Sequence, residues 1–301
     1  MVDSRRTLVT GASGFVGSQV LESLLQRGFE VHAVARRAAE NSAPDIHWHK
    51  ADLLNPSETA NLFRKIRPTD LMHFAWYAEH GKFWNSPLNS EWLSATEVLL
   101  KAFAENGGRR FVGAGSCAEY AWDGRDLYEE NAPLQPATMY GQAKASAYLS
   151  GSSFAKAEGI EFAWGRIFHL FGPGEFPDRI VPALIRAHLS GQPLDCSQGT
   201  QLRDFLPVSD IAAAFAQLCT SGVQGAVNIG SGRAITLREL SEKISAIAGR
   251  KADIRFGAFH DSGPERLLPA VNRLVDEVGW TPPKSLDSGL EETIGWWKSQ
   301  S

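Results

Sequence analysis

Three glycines separate an apolar run from a helical pattern near the start of the chain, and this order of elements restricts the fold more than any other feature. Thr7-Leu8-Val9-Thr10 reads as a short buried strand, Gly11-Ala12-Ser13-Gly14-Phe15-Val16-Gly17 as a tight turn, and Phe15 to Arg27 as a helix with apolar residues at helical spacing. Gly28-Phe29 closes the helix, and Val31 to Ala35 reads as a second strand that ends at Arg36-Arg37. This is one βαβ unit. Glycines at such a turn let the backbone reverse tightly and approach a pyrophosphate, while the helix N-terminus offers free N–H groups to the anion. Glycine turns after strands are common, so the meaning lies in having the strand before and the helix after.

The alternation continues. Strands are expected at Ile46 to Lys50, Leu71 to Phe74, Arg110 to Ala114 and Phe162 to Arg166, with helices over Glu58 to Ile66, Ser90 to Glu105 and Tyr140 to Ala157. Strands alternating with helices imply an α/β fold, a doubly wound parallel sheet of the Rossmann type covered on both faces. After about Leu170, Gly172-Pro173-Gly174, Pro177, Pro182, Gly191, Pro193 and Gly199 cut the chain into short pieces, leaving Val208 to Leu218 and Leu237 to Ala248 as isolated helices. We expect a dinucleotide-binding domain over 1–167 with returning segments near 206–230. A smaller, discontinuous α/β substrate lobe takes 168–205 and 231–301.

Charge and cysteine content narrow the partners. Over 301 residues the net charge is −4, too near balance to hold nucleic acid along the surface. Cys117, Cys196 and Cys219 form no C-x-x-C pair, which argues against a disulfide framework or a zinc site and fits a reducing cytoplasm. His47 and His49 flank Trp48 at a metal-like spacing, but no third ligand is near in sequence, and we read them as surface residues with no metal. No apolar run has the roughly 18 residues needed to span a bilayer. The expected partners exclude nucleic acid and membrane.

The end of the second strand is where an acidic residue accepts hydrogen bonds from the ribose 2′-OH of NAD. This chain has Ala35 followed by Arg36 and Arg37, so a carboxylate is missing and guanidinium groups stand ready for a 2′-phosphate. That favours NADP, with NAD as the alternative. Arg37 taken alone is as readily a solvated loop residue. Asp52, with Leu53 after the third strand, either meets the adenine amino group or caps its own turn. Tyr140-Gly141-Gln142-Ala143-Lys144 places a phenol and an ammonium on one helix face. A lysine one turn away lowers the phenol pKa toward working pH, as proton exchange with a carbonyl or alcohol requires. Ser116, just past the fifth strand, adds a hydroxyl for the same oxygen.

On these residues the chain resembles the extended short-chain dehydrogenase/reductases, in the nucleotide-sugar epimerase/dehydratase/reductase group. Further matching stretches are His73-Phe74-Ala75, Gly115 to Tyr120, Gly165 to Pro173, Arg203-Asp204-Phe205, Asn228 to Gly232 and Gly279-Trp280. The resemblance implies that Ser116, Tyr140 and Lys144 are the catalytic triad, with Lys144 on the nicotinamide ribose. Phe74, Ala75 and Ile167 would line the cofactor, and Arg203 would hold the diphosphate of a nucleotide-diphosphate sugar, against the simpler alternative of an Arg203–Asp204 ion pair. Dehydratases of the group carry Asp-Glu directly after the catalytic hydroxyl residue; here Cys117 and Ala118 take those positions, and 4,6-dehydration is not expected. His169, a candidate substrate contact, replaces an asparagine of many relatives, and Trp92 replaces another. Trp76, Trp84 and Trp92 either shape the substrate pocket or belong to the core. Trp296-Trp297 reads as an anchor for the last helix. The resemblance further implies a homodimer formed through the two long helices.

Overall fold

The protein is described by a computed structural model covering residues 5–37, 43–127, 132–260 and 263–300. Its centre is a parallel sheet of β1 (Arg6–Thr10), β2 (Glu30–Ala35), β3 (Ile46–Lys50), β4 (Asp70–His73), β5 (Arg110–Ser116), β6 (Glu161–Ile167) and a late strand, Gly225–Ile229. From one edge the order is the late strand, β6, β5, β4, β1, β2, β3. The order reverses at β1 and β4, which pair in parallel with Thr10 opposite His73. At such a switch point the following loops part, and a crevice opens at the carboxyl ends of the strands.

Both faces are dry. On one, Val9, Val31, Ala33, Met72 and Val112 pack with Val20 and Leu24 of α1 (Gly17–Leu25). On the other, Leu8, Val34, Leu71 and Phe111 meet α2 (Pro56–Ile66) and α3 (Leu88–Glu105), while Ala147 and Ala155 come from α4 (Met139–Glu158). Apolar strands buried on both sides read as continuous hydrophobic runs, which is why periodicity found them. The sequence placed the start of α2 at Glu58, two residues late. Asn55 Oδ1 accepts from the Ser57 N–H at 3.0 Å and Pro56 occupies the first turn, where its missing N–H costs nothing.

The remaining chain forms β7 (His169–Phe171), α5 (Ile180–Ser190), β8 (Leu194–Cys196), β9 (Leu202–Arg203), β10 (Phe205–Pro207) and α6 (Val208–Ser221) before the late sheet strand, β11 (Gly225–Ile229). After it come β12 (Ile235–Thr236), α7 (Leu237–Ala248), β13 (Ile254–Phe256), β14 (Arg266–Leu267) and α8 (Leu286–Ser299). Val181, Leu184, Ile185, Leu240, Ile244, Leu290 and Ile294 make a second core here, with Trp297 against it. α5 corrects the sequence reading, which took Pro182 as a breaker. Pro182 lies in the first turn, where a helix has no use for its N–H.

The histidine pair has a third member. Register places His47 opposite His32 of β2, and His32 Nδ1 meets His49 Nε2 at 2.8 Å while His32 Nε2 meets Glu30 Oε1 at 2.9 Å. The three imidazoles share one sheet face, and His32 links His49 to Glu30 by hydrogen bonds, beyond the pair visible in sequence. No group of three or more His, Cys, Asp or Glu among the described residues is arranged to hold a metal ion. No helix of the described residues is long and apolar enough to cross a membrane, and Cys117, Cys196 and Cys219 are free thiols.

Candidate active site

The glycine turn sits at the switch point. Gly11 has φ +65°, and a Cβ there would stand 2.7 Å from the Ala75 backbone nitrogen; one on Gly17 would stand 2.2 Å from the Gly11 carbonyl oxygen. Any side chain at either position would break the turn or push the chain after β4 away. Ser13 and Gly14 are exposed, Phe15 and Val16 half-buried. The first turn of α1 carries no acidic residue, and no side chain caps it. The Ser18 and Gln19 N–H groups bond back to the Gly14 and Val16 carbonyls, so the part that meets an outside anion is the exposed Ser13–Gly14 turn before them, and a dinucleotide pyrophosphate fits this cradle. Phe74 and Ala75 lie across the turn from Gly11.

Arg36 and Arg37 are exposed beyond the end of β2. Asp52 Oδ1 accepts from the Leu54 N–H at 3.1 Å, the turn-capping alternative, while Leu53 is buried in the core. Ile167 ends β6 beside Ser116 at the end of β5.

Tyr140 and Lys144 project from the start of α4, which Thr138 caps by accepting from the Gly141 N–H at 3.1 Å. Ser116 lies near enough to the Tyr140 phenol to favour its charged form, so the structure brings the three candidate catalytic residues together. Lys144, 3% exposed, donates from Nζ to the Ala114 carbonyl oxygen at 2.7 Å. Burial pulls its pKa down to about 7, against the pull of the Glu119 carboxylate. For the phenol, the expectation that Lys144 lowers its pKa needs revision. Burial pushes Tyr140 above its ordinary value, and the opposing influences are first the neighbouring Ser116 hydroxyl and then the Arg179 charge. The site holds a neutral phenol, a proton donor to a substrate oxygen.

Behind Ser116 lies a polar network sequence reasoning missed. Glu119 is 0% exposed and Arg166 1%. Glu119 Oε1 accepts from the Ser116 N–H at 2.8 Å and Trp164 Nε1 at 2.9 Å, and Oε2 accepts from Arg166 Nε at 2.7 Å. Arg166 Nη1 donates to the Tyr120 hydroxyl, which donates to Asn228 Oδ1 at 2.8 Å. Asn228 Nδ2 in turn donates to the Leu127 and Ala270 carbonyls. The backbone of Ser116 is thus anchored through the core to the segment beside β14.

Arg179 is the second missed residue. It precedes α5 as its N-cap, and its charge acts on Tyr140, His169 and Glu175. A cation at a helix N-terminus opposes the helix dipole. The arginine just before the helix was a usable signal, lost because the helix itself was not recognised. Arg203 is 8% exposed and donates to the Leu202 carbonyl at 2.9 Å. Both Asp204 oxygens accept from Ser231 and Gly232. Burial first, and then the charges of Arg203 and Arg179, hold the His169 imidazole near pKa 3, hence neutral. Burial pushes the Cys117 thiol up to about 12 and the Glu175 carboxyl up to about 8, so both are mainly protonated at neutral pH.

Aromatic rings enclose the phenol. Trp76, Phe83 and Trp84 present T-shaped contacts to Tyr140 at 6.5, 4.8 and 5.8 Å between centroids. Trp92 stacks behind Trp76 at 6.5 Å. Two of the three tryptophans singled out in the sequence therefore touch the site and the third supports it.

The sequence model of the NAD dependent epimerase/dehydratase family matches residues 7–230. UDP-glucuronic acid decarboxylase 1 of Danio rerio is 26% identical over 304 residues, an alignment covering 97% of this chain and 72% of the relative. The Thermus thermophilus UDP-glucose 4-epimerase, solved in complex with NAD, superposes with a TM-score of 0.84 at 25% identity, covering 98% of this chain and 100% of the other. The fold of a Methanobrevibacter ruminantium UDP-N-acetylglucosamine 4-epimerase agrees more closely, with a TM-score of 0.90 at 24% identity and 99% of both chains covered. With this site on this sheet, the chain belongs to the NAD dependent epimerase/dehydratase family and is an enzyme of the extended short-chain dehydrogenase type.

Proposed function

We propose that the protein is an NADP-dependent reductase of a nucleotide-diphosphate 4-keto-6-deoxy sugar, working in the cytoplasm. The observation that carries the cofactor choice is the end of β2, where Ala35 is followed by the exposed Arg36 and no carboxylate stands at the strand end among the described residues to receive a ribose 2′-OH. Cells keep NADPH mostly reduced, so a site selected for it leans toward net reduction. The bound cofactor supplies the hydride. Tyr140 gives its phenolic proton to the sugar oxygen, Ser116 holds that oxygen, and Lys144 holds the nicotinamide ribose. Arg203, with Arg179 at the start of α5, receives the diphosphate. Neither Cys117 nor Ala118 can exchange the protons of a dehydration.

A redox-neutral epimerase is the second reading, favoured by the NAD found in the Thermus thermophilus UDP-glucose 4-epimerase. Incubation with NADPH and a panel of nucleotide 4-keto sugars decides between them. Reduction consumes the nicotinamide absorbance in step with product. Epimerisation of an unoxidised sugar with no loss of absorbance would leave the second reading standing.

Arg36→Ala is expected to weaken NADPH binding about tenfold or more, the value of roughly one charge-assisted contact, and to leave NADH nearly unchanged. Fluorescence titration of both nucleotides checks this, and equal losses would remove Arg36 from the 2′-phosphate. We also propose a homodimer through α3 and α4, supported by Leu149 of α4, 55% exposed on the outside of the sheet domain. A monomer in sedimentation at micromolar concentration would overturn it.

A further inference from the structure

Among the described residues the Lys144 ammonium has one hydrogen-bond acceptor, the Ala114 carbonyl oxygen at 2.7 Å. An ammonium has three donors, and burying it with one of them met favours loss of the proton. The structure supplies another partner. The Trp76 indole lies under Nζ with its ring centroid at 3.9 Å, and the Trp164 indole lies at 5.7 Å. Trp76 does not rest there loosely. Its Nε1 donates to Asn89 Oδ1 at 2.9 Å, and the fully buried Asn89 donates to the Phe83 and Ser86 carbonyls. One buried amide therefore fixes both the indole on the lysine and the short Phe83–Asn85 turn whose rings meet Tyr140.

We propose that Trp76 is a positioning residue of the Tyr140–Lys144 pair, the face of its indole holding Lys144 as the ammonium beside the cofactor cleft. An indole face attracts a cation through its quadrupole, most strongly where water is excluded. The other groups facing Lys144 do not provide this. His73 of β4 is bonded through both ring nitrogens to Thr10 and Thr96, and burial keeps it neutral. Tyr140, one helical turn before it, is held neutral by burial. Glu119 does favour the charged lysine, but it is paired with Arg166 at 2.7 Å. A lysine near pKa 7 is balanced between its two forms, where a modest stabilising contact changes the charged fraction most.

The inference rests on reading Lys144 as a cofactor contact only for its significance; the ammonium–indole contact is testable without substrate. Protein labelled with ¹⁵N in its lysine side chains is titrated by NMR, the Lys144 signal being assigned by its loss in Lys144→Met. Trp76→Leu keeps an apolar side chain and removes the π face. Its Lys144 midpoint is expected to fall by about one pH unit, a tenfold change in the deprotonation equilibrium, while Trp76→Phe lies between it and the parent. Should the leucine variant not fold, the smaller fall in Trp76→Phe carries the test. The sign is decisive. If Trp76 only excludes water, its removal hydrates the ammonium and raises the midpoint, and a raised or unmoved midpoint overturns the proposal. NADPH titration of Lys144→Met tests the functional reading apart from this: unchanged affinity would remove Lys144 from the cofactor and leave the indole result intact.

Discussion

Tyr140→Phe is expected to lower turnover by about 10²–10⁴-fold, the range supplied by a positioned acid or base, while NADPH still binds. The substitution removes only the hydroxyl. The ring keeps its edge contacts with Trp76, Phe83 and Trp84, and Thr138 still caps α4, so the thermal midpoint should barely move. What disappears is the proton that the proposed reaction takes from the phenol beside Ser116. The assay is NADPH consumption with the keto sugar that the parent reduces, alongside fluorescence titration of the nucleotide. Turnover unchanged by the loss of the phenol, with NADPH still bound, would remove Tyr140 from the proton transfer.

Arg166→Met is expected to cost about 3–5 kcal/mol of folding stability, because it strands a buried carboxylate. Glu119 would keep the Ser116 N–H and the Trp164 indole but lose its charged partner at 2.7 Å. The Tyr120 hydroxyl would lose a donor as well. Replacing both members, as Glu119→Leu with Arg166→Met, should be milder than the single change, since two compatible apolar side chains avoid the lone charge. Denaturant midpoints of the three proteins measure this. A single variant within about 1 kcal/mol of the parent would mean that Glu119 does not depend on Arg166 to be tolerated in the core.

Sequence patterns exposed the parts of this fold that are local. The glycine turn, the apolar strands and the Tyr140–Lys144 spacing each fit inside one or two elements, where period and turn chemistry are visible. The pairs that cross the sheet were hidden for a physical reason. Glu119 and Arg166 are 47 residues apart, and each alone looks like an ordinary surface charge. Only the register that sets Gly115 opposite Arg166 brings them together. His32 joined His49 by the same route, across β2 and β3. Arg179 was overlooked because Pro182 was read as a break, and without α5 there was no helix start for the arginine to mark. The tryptophans were noticed, but composition alone does not distinguish a core indole from one lying on a buried ammonium.

The late arrival of β11 bears on how the chain is made. β6 pairs with β11 along its length, from Ala163 opposite Gly225 to Ile167 opposite Ile229, yet β7 to β10, α5 and α6 all come between them in the chain. During synthesis, β6 emerges with one edge open; Phe162 and Trp164 can already meet the core made by residues 8–160, whereas Ala163 lies on the face that α6 covers only later. An open apolar edge is a template for pairing with the wrong chain. The seven-stranded sheet therefore cannot be completed before residue 229 has been made, and until then the β6 edge has no partner strand.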